Sequence, residues 1–436
     1  MSGIHTVRAW EALDSRGRPT VAARVELTGG AFAHAVVPSG ASTGSHEALE
    51  LRDGGTRYHG RGVRTAVDQV NGPLAAVCRG RDVADQRGLD AALLAVTGGE
   101  VRIGANAVLA VSLAAARAAA AEHGVPLARL LAGPGPLLLP MPMVNVISGG
   151  AHAGGLLDVQ DFLVVPVGAT SFAEAIEWAV AVRDATAEVA LHRGHRSAVL
   201  VADEGGLGLA LPGNRAALDL LVDGITAAGL VPGAQVGIAI DVAATELGDR
   251  AGYRFATEDR TLRPDDLVDE ISSWCADFPV ISVEDGAGED DWDTWRSLTD
   301  RLGGDVELVG DDLFATQPDR LDTGIRAGAA NSVLVKVNQN GTVSGAADVV
   351  ALAHRAGYRT VVSARSGDTE DSWLADLAVG WRAGQIKVGS THRSERSAKW
   401  NRLLELEACD DTVFAVPWPQ PPRRPIPNSS EDNHHG

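Results

Sequence analysis

Lysine, cysteine, methionine and aromatic residues are all scarce in this 436-residue chain. The three cysteines, Cys78, Cys275 and Cys409, are scattered and odd in number. That excludes a disulfide framework and fits reduced thiols. Aromatic residues make up 4%, so the core has to be built mostly from Ala, Val and Leu. The sequence shows no long uninterrupted apolar span and no N-terminal signal-peptide pattern, so a soluble, cytoplasmic protein is expected. Positive charge is short as well. The formal net charge is −19, which argues against nucleic acid or an anionic membrane as partner. A small anionic substrate stays open, because surface charge is screened over roughly 8 Å at physiological salt and a local cluster can dominate a pocket.

The lysine shortage is informative. Of 38 basic residues, three are lysine (Lys336, Lys387 and Lys399) and the rest are arginine. Arginine does not release its proton near neutral pH, whereas burial and neighbours can tune a lysine to do so. Lys336 closes the apolar, β-branched run Ser332-Val-Leu-Val335, which reads as a buried strand. An ammonium there has no ordinary surface explanation. Lys399 lies on a helical pattern and reads as a solvated position.

The chain divides by texture. Residues 1–132 begin with strand patterns at Val7–Leu13, Thr20–Leu27 and Ala31–Pro38, then turn helical. Pro38–His46 is small and polar, and reads either as a mobile lid or as a plain surface loop. Residues 137–415 alternate short apolar runs with helical patterns, the mark of parallel β/α units. The strand candidates are Met143–Ile147, Phe162–Pro166, Ala198–Val201, Gln235–Ile240, Val280–Val283, Glu307–Val309, Ser332–Val335 and Arg359–Val362. That number of units matches an α/β barrel of the (β/α)8 type. Residues 416–436 are Pro-rich, then polar, and are expected to form a disordered tail.

In such a barrel the chemistry sits at the carboxyl ends of the strands. Those ends carry Asp203-Glu204, Asp241, Glu284-Asp285, Asp311-Asp312, Lys336 and Ser363, with Arg365-Ser366 just beyond. Carboxylates converging from neighbouring strands repel and raise one another's pKa. A hard divalent cation relieves this, and Mg2+ suits a few carboxylates plus water and substrate oxygens. A lysine beside that cation would be lowered toward a neutral base. The chemistry this suits is removal of a weakly acidic proton next to a carboxylate. Glu204 could serve a leaving group, and Lys387 and Arg365 could bind an anion.

These residues carry a family resemblance. Ser15–Val21, Val37–Gly44, His46–Asp53, Asn145–Gly155, Asp203–Gly206, Ser282–Asp285, Gly310–Leu313, Lys336–Gln339, Arg365–Gly367 and Gly384–Lys387 resemble the motifs of enolase. The resemblance implies an N-terminal α+β capping domain followed by a TIM-type barrel, and at least a homodimer. It implies one or two Mg2+ ions held by Asp241, Glu284 and Asp311, with Ser39 on the second. Lys336 matches the family's base and Glu204 its acid. His152, Asp161 and Lys387 match substrate contacts, and Arg365 with Ser366 the phosphate site. The implied substrate is a small phosphorylated anion such as 2-phosphoglycerate.

Departures fall elsewhere. The family's Ser-His-Arg-Ser-Gly is Ser363-Ala364-Arg365-Ser366-Gly367 here, and its Gln-Glu-Phe is Gln160-Asp161-Phe162. Gly-Asn-Pro-Thr is Gly17-Arg18-Pro19-Thr20, and Glu-Asp-Pro is Glu284-Asp285-Gly286. Three readings follow. One is an ordinary phosphopyruvate hydratase. A second is a specialised paralogue resembling carboxyphosphonoenolpyruvate synthase of phosphonate antibiotic pathways. The third is a catalytically silent binding protein, disfavoured by the retained charge cluster.

Overall fold

A computed structural model describes residues 2–40, 44–97, 102–249 and 252–418. The chain opens with an antiparallel sheet, Ile4–Leu13, Pro19–Leu27 and Phe32–Val36, in sequential order. The helix Ala105–Glu122 lies across it. Its alanines let helix and sheet approach closely, and fourteen of its residues are buried. It is long and apolar enough to cross a membrane by composition alone, yet 78% of that window is buried inside the protein. It is therefore a core helix. Arg64–Cys78 is helical as the pattern suggests, but widens to a π-turn at Val70–Leu74. Pro73 in that turn has no N–H to give the regular ladder.

From Met141 onward, eight described strands close into a barrel. In order around it they are Met141–Ser148, Asp161–Val165, Gly237–Asp241, Val280–Glu284, Glu307–Gly310, Ser332–Val335, Arg359–Ser363 and Gly384–Gly389, the last pairing back to the first. Helices between and after them cover the outside. One inner layer, including Met143, Leu163, Ala239, Ile281, Val309, Leu334 and Val361, fills the barrel with apolar side chains.

Two expectations are corrected here. The units are not all parallel, because Asp161–Val165 runs antiparallel to both neighbours. The connection from Ser148 to Asp161 holds only the 3-10 turn Gly150–His152 and no crossover helix, and a parallel return is usually made by such a helix. The reversal matters for chemistry. Asp161 is the first residue of its strand but sits opposite Ser148 and Asp241, the last residues of theirs. Ala198–Val201 is not a strand. Arg196–Val199 is a 3-10 turn, and Val199, Leu200 and Val201 are 71%, 66% and 44% exposed. Met141–Ser148 pairs instead with Gly384–Gly389, Asp161–Val165 and, at Ile147 and Ser148, the two-residue strand Leu207–Gly208.

Two further features were not expected. A small antiparallel sheet, Gly248–Asp249, Gly252–Phe255 and Arg260–Leu262, precedes the helix Pro264–Asp277. At the far end, Trp418 is buried against the inner apolar layer of the barrel, so the expected tail does not begin at residue 416. Residues 419–436 lie outside the described residues.

Gly310 links packing to chemistry. A Cβ there would lie 2.6 Å from the ring of Phe314, and Asp311 is the next residue. Gly310→Ala is expected to lose about 1–3 kcal/mol of stability through overpacking, measured by urea unfolding.

Candidate active site

The strand register decides which side chains meet. Glu284 is paired with Asp241 on one side and with Val309 on the other. This sets Asp241, Glu284 and Asp311 along one arc of the barrel mouth. Every one of their loops holds a non-glycine residue in the left-handed region: Ala243 at φ 48°, Asp285 at φ 43°, and Ala315 and Thr316 at φ 45° and 50°. Each such residue costs about 1–2 kcal/mol, so the surrounding packing has to over-determine these loops.

Two lysines hold the carboxylates together. Lys387 Nζ donates to Asp241 Oδ2 at 2.8 Å and to Glu284 Oε2 at 2.6 Å. Lys336 Nζ donates to Asp311 Oδ2. Gln160 and Gln339 add donors to Asp241 and Asp311 at 3.1 and 3.0 Å. Burial would push both lysines down, but the facing carboxylates, Asp241 for Lys387 and Asp311 for Lys336, hold both above the ordinary lysine range. Lys336 is thus an ammonium in this state rather than a neutral base. The lowering expected from the sequence requires a cation to take up Asp311's charge. Glu284 is pushed well up by burial and by Asp241 beside it.

The donor set fits a hard divalent cation. All the groups are carboxylate oxygens, and Glu284 Oε1 is buried with no hydrogen-bond partner. Asp311 also converges with Asp285 and Asp312, ligand oxygens within 4.8 Å of one another. Both Asp285 oxygens, however, accept backbone N–H groups, from Asp311 and Asp312 at 2.8 Å each. Asp285 therefore fastens the neighbouring loop.

Opposite the lysines lies a second cluster. His152 Nδ1 is 3.0 Å from Asp161 Oδ2, and its Nε2 is 3.8 Å from Glu204 Oε1. Burial pulls His152 down, but Asp161 and Glu204 outweigh it and push it up to about 9. Burial raises Asp161 too. The two groups share one proton, and we assign it to His152, because Asn145 also donates to Asp161 at 2.5 Å. Burial would raise Glu204, but His152 and Arg396 outweigh it and hold Glu204 below the ordinary range.

Arg396 escaped the sequence reading. It is fully buried, 3.8 Å from Glu204, and donates to the carbonyls of Arg365, Val388 and Ser366 at 2.7, 3.0 and 2.6 Å. A charged residue inside a helix with no acidic partner four residues away was the available signal. Ala364 is buried at the same mouth, its N–H bonded to the Lys387 carbonyl at 2.9 Å.

The phosphate-site expectation meets an unexpected occupant. Arg365 forms a two-pronged ion pair with Glu47, at 2.9 and 3.0 Å, with both side chains buried. Glu47 comes from the loop after Pro38, whose residues 41–43 lie outside the described residues. The neighbouring Ser45 and His46 reach Glu289 and Asp290 of the barrel at 2.8 and 3.2 Å. With these contacts made, the cavity among Lys336, Arg365, Lys387 and Glu204 is about 20 Å3, far below the roughly 300–1,000 Å3 of an ordinary small-molecule site.

Ser39 is not with the carboxylates. Its hydroxyl is bonded to Glu50 at 3.0 Å and to Arg52 at 2.9 Å, and its carbonyl accepts from Arg16 at 2.8 Å and from Gly367 N–H at 3.0 Å. Those bonds already engage both the hydroxyl and the carbonyl of Ser39, the residue the family resemblance puts on a second ion. Lys399 is corrected as well. It is buried, with its ammonium 2.6 Å from Asp368.

An α+β domain set against a barrel whose mouth joins an acidic cluster to buried lysines defines a metal-assisted enzyme class. The chain belongs to the enolase family: residues 4–131 match the enolase N-terminal domain, and residues 136–415 match the enolase C-terminal TIM barrel domain. That family is magnesium-dependent and acts on small phosphorylated substrates.

Glu47→Gln leaves Arg365 buried beside a neutral amide. It is expected to lower stability by about 3 kcal/mol, and inorganic phosphate should restore more of the melting temperature in the variant than in the wild type. Equal phosphate responses by differential scanning calorimetry would show that Arg365 does not receive anions.

Proposed function

We propose that this chain forms an enolate from a substrate of the 2-phosphoglycerate or phosphoenolpyruvate type, as a specialised paralogue in which the step after proton removal differs from dehydration. Carboxyphosphonoenolpyruvate synthase is the activity of this kind that the sequence resembles. The observation that carries the reading is the split between the two halves of the mouth. Lys387 holds Asp241 and Glu284, and Lys336 holds Asp311 beside them, whereas the leaving-group side has Ala364 in place of an imidazole and the shorter Asp161.

Bound Mg2+ would be held by Asp241, Glu284 and Asp311, and would supply charge stabilisation to an enolate. The rest falls to the chain's own residues. Lys336 Nζ takes the proton next to the substrate carboxylate. Lys387, positioned between Asp241 and Glu284, faces the carboxylate itself. Arg365 and Ser366 orient the phosphoryl group once Glu47 gives way. His152 donates its proton, or a hydrogen bond, on the other side. Glu204, kept ionised by His152 and Arg396, is poorly disposed to give a proton to a departing hydroxyl. That supports a step other than simple loss of water. Phosphopyruvate hydratase is the reading that competes, and nothing in the Lys336 half distinguishes the two.

Incubation with Mg2+ and 2-phosphoglycerate in deuterated solvent separates them. Exchange at C2, followed by NMR, is expected to outrun formation of the enol product by about 10²-fold or more. Dehydration as fast as exchange would sink the paralogue reading. Lys336→Ala is expected to lower exchange by about 10²–10⁴-fold. Ala364→His is expected to raise dehydration without raising exchange, measured by absorbance of the enol product alongside the NMR signal.

A further inference from the structure

We propose that Asp158 is a positioning residue for the His152 side of the mouth: it clasps the loop 149–160 to the small sheet beyond Asp241, and so fixes His152 without itself meeting substrate. Asp158 is 7% exposed. Its Oδ1 accepts the Thr257 N–H at 3.1 Å, and its Oδ2 accepts the Thr257 hydroxyl and, at 3.4 Å, the side-chain amide of Asn214. Thr257 and Glu258 lie in the turn between Gly252–Phe255 and Arg260–Leu262. Asn214 is the first residue of the helix Asn214–Ala227 and is fully buried. It donates its N–H and its amide to Glu258 Oε1 at 2.9 and 3.1 Å, and its own oxygen accepts the Val159 N–H at 3.1 Å. Three elements distant in sequence therefore meet at one buried carboxylate. Among the described residues, no lysine or arginine pairs with it. A buried carboxylate held by neutral donors costs desolvation, but a satisfied polar network of this kind specifies a single arrangement of the parts it joins.

What Asp158 holds is the returning limb of the loop. That limb packs tightly on the outgoing one. Gly149 N–H donates to the Gln160 carbonyl at 2.8 Å and Gly150 N–H to the Leu157 carbonyl at 2.9 Å, and a Cβ on Gly149 would lie 2.7 Å from that of Leu157. His152 follows two residues after Gly150, and its carbonyl accepts the Asp203 N–H at 3.1 Å. A shift of residues 157–159 therefore moves His152 relative to Asp161 and Glu204. His152 lines the mouth cavity, and Asp158 does not. The limb's far end is pinned separately, with Gln160 N–H donating to the Asp241 carbonyl at 2.8 Å. Lys387 and Lys336 keep their own carboxylates, so the Lys336 side is spared. Misplacing a group by about 1 Å can lower a rate about 10²-fold, which makes a contact outside the cavity felt within it.

The full chain is compared with Asp158→Ala and Asp158→Asn, each checked for folding by circular dichroism. By hydrogen–deuterium exchange and mass spectrometry, the amides of residues 149–159 are expected to exchange about tenfold or more faster in Asp158→Ala, and those of residues 332–340 as in the wild type. With Mg2+ and saturating 2-phosphoglycerate, Asp158→Ala is expected to slow formation of the enol product about tenfold or more, and C2 exchange by less than about threefold. Asp158→Asn keeps an oxygen for the Thr257 N–H and is expected to recover most of the product rate. If Asp158→Ala does not fold, Thr257→Val, which removes one donor and leaves the carboxylate, is read in the same way. Unchanged amide exchange in the loop overturns the clasp. A loosened loop with product formation and C2 exchange lowered equally, or with neither lowered, overturns the positioning role. The selective effect on product rests on the reading under Proposed function, whereas the clasp does not. A wild type without C2 exchange removes the proposed reaction, and amide exchange in the loop then decides the clasp by itself.

Discussion

Two buried ammonium groups facing three carboxylates are the interaction on which the barrel mouth depends. Asp241, Glu284 and Asp311 sit on consecutive strands, where bare carboxylates would repel in a poorly screened setting. Lys387 joins the first two and Lys336 neutralises the third. Buried pairs of this kind rarely add net stability, since desolvation offsets the Coulomb gain, but removing one partner is strongly destabilising. The arrangement thus makes each charged residue necessary to the others. It also explains why strained residues such as Ala243 and Asp285 persist in the loops: the charges they position have no lower-energy place to go.

The reversed second strand supplies the other half of the mouth. In an all-parallel barrel, the first residue of a strand lies at the end away from the chemistry. Here Asp161 begins its strand yet lies opposite Asp241. This brings the Asp161–His152 pair, and Glu204 beyond it, across from the lysines. Arg396 ties that side to the Arg365–Ser366 loop through two carbonyls and to the last barrel strand through the carbonyl of Val388, so the acid and the anion contacts share one buried anchor. The two halves therefore rest on different supports, the lysine–carboxylate network on one side and Arg396 with His152 on the other. A change in one, such as Ala364, leaves the other standing.

How legible this was in the sequence depended on whether the signal was local. Apolar runs ending in a carboxylate or lysine located Asp241, Glu284, Asp311 and Lys336, because burial and strand ends leave a period and a punctuation mark. The lysine shortage was a better indicator than its first reading allowed: Lys336, Lys387 and Lys399 are all largely buried and bonded to carboxylates, including the one assigned to solvent. What failed was non-local. Strand direction depends on the length and path of a connection, and Val199-Leu200-Val201 looked like a strand only because no pairing partner had to be found for it. Glu47 and Arg365 are 318 residues apart, and no periodicity links them. Ser39 followed from a motif, whereas its partners Glu50, Arg52 and Arg16 come from the fold.

The charge balance of the closed mouth has a consequence for ligand binding. Glu47 gives Arg365 the counter-charge that a phosphoryl group would give, so an incoming anion replaces one carboxylate with another group of like sign and the pocket's local charge changes little. The lysines differ. As long as Asp311 and Asp241 accept from Lys336 and Lys387, those ammonium groups are unavailable to a substrate carboxylate. A cation on the carboxylates would lower Lys336 toward the neutral base and would release Lys387, whose ammonium would in turn favour an anion. Cation and anion are therefore coupled through Lys387, and by linkage each raises the affinity for the other by the same factor. The cavity of about 20 Å3 is walled by these same ion pairs, so ligands would enter it by exchanging those pairs for their own.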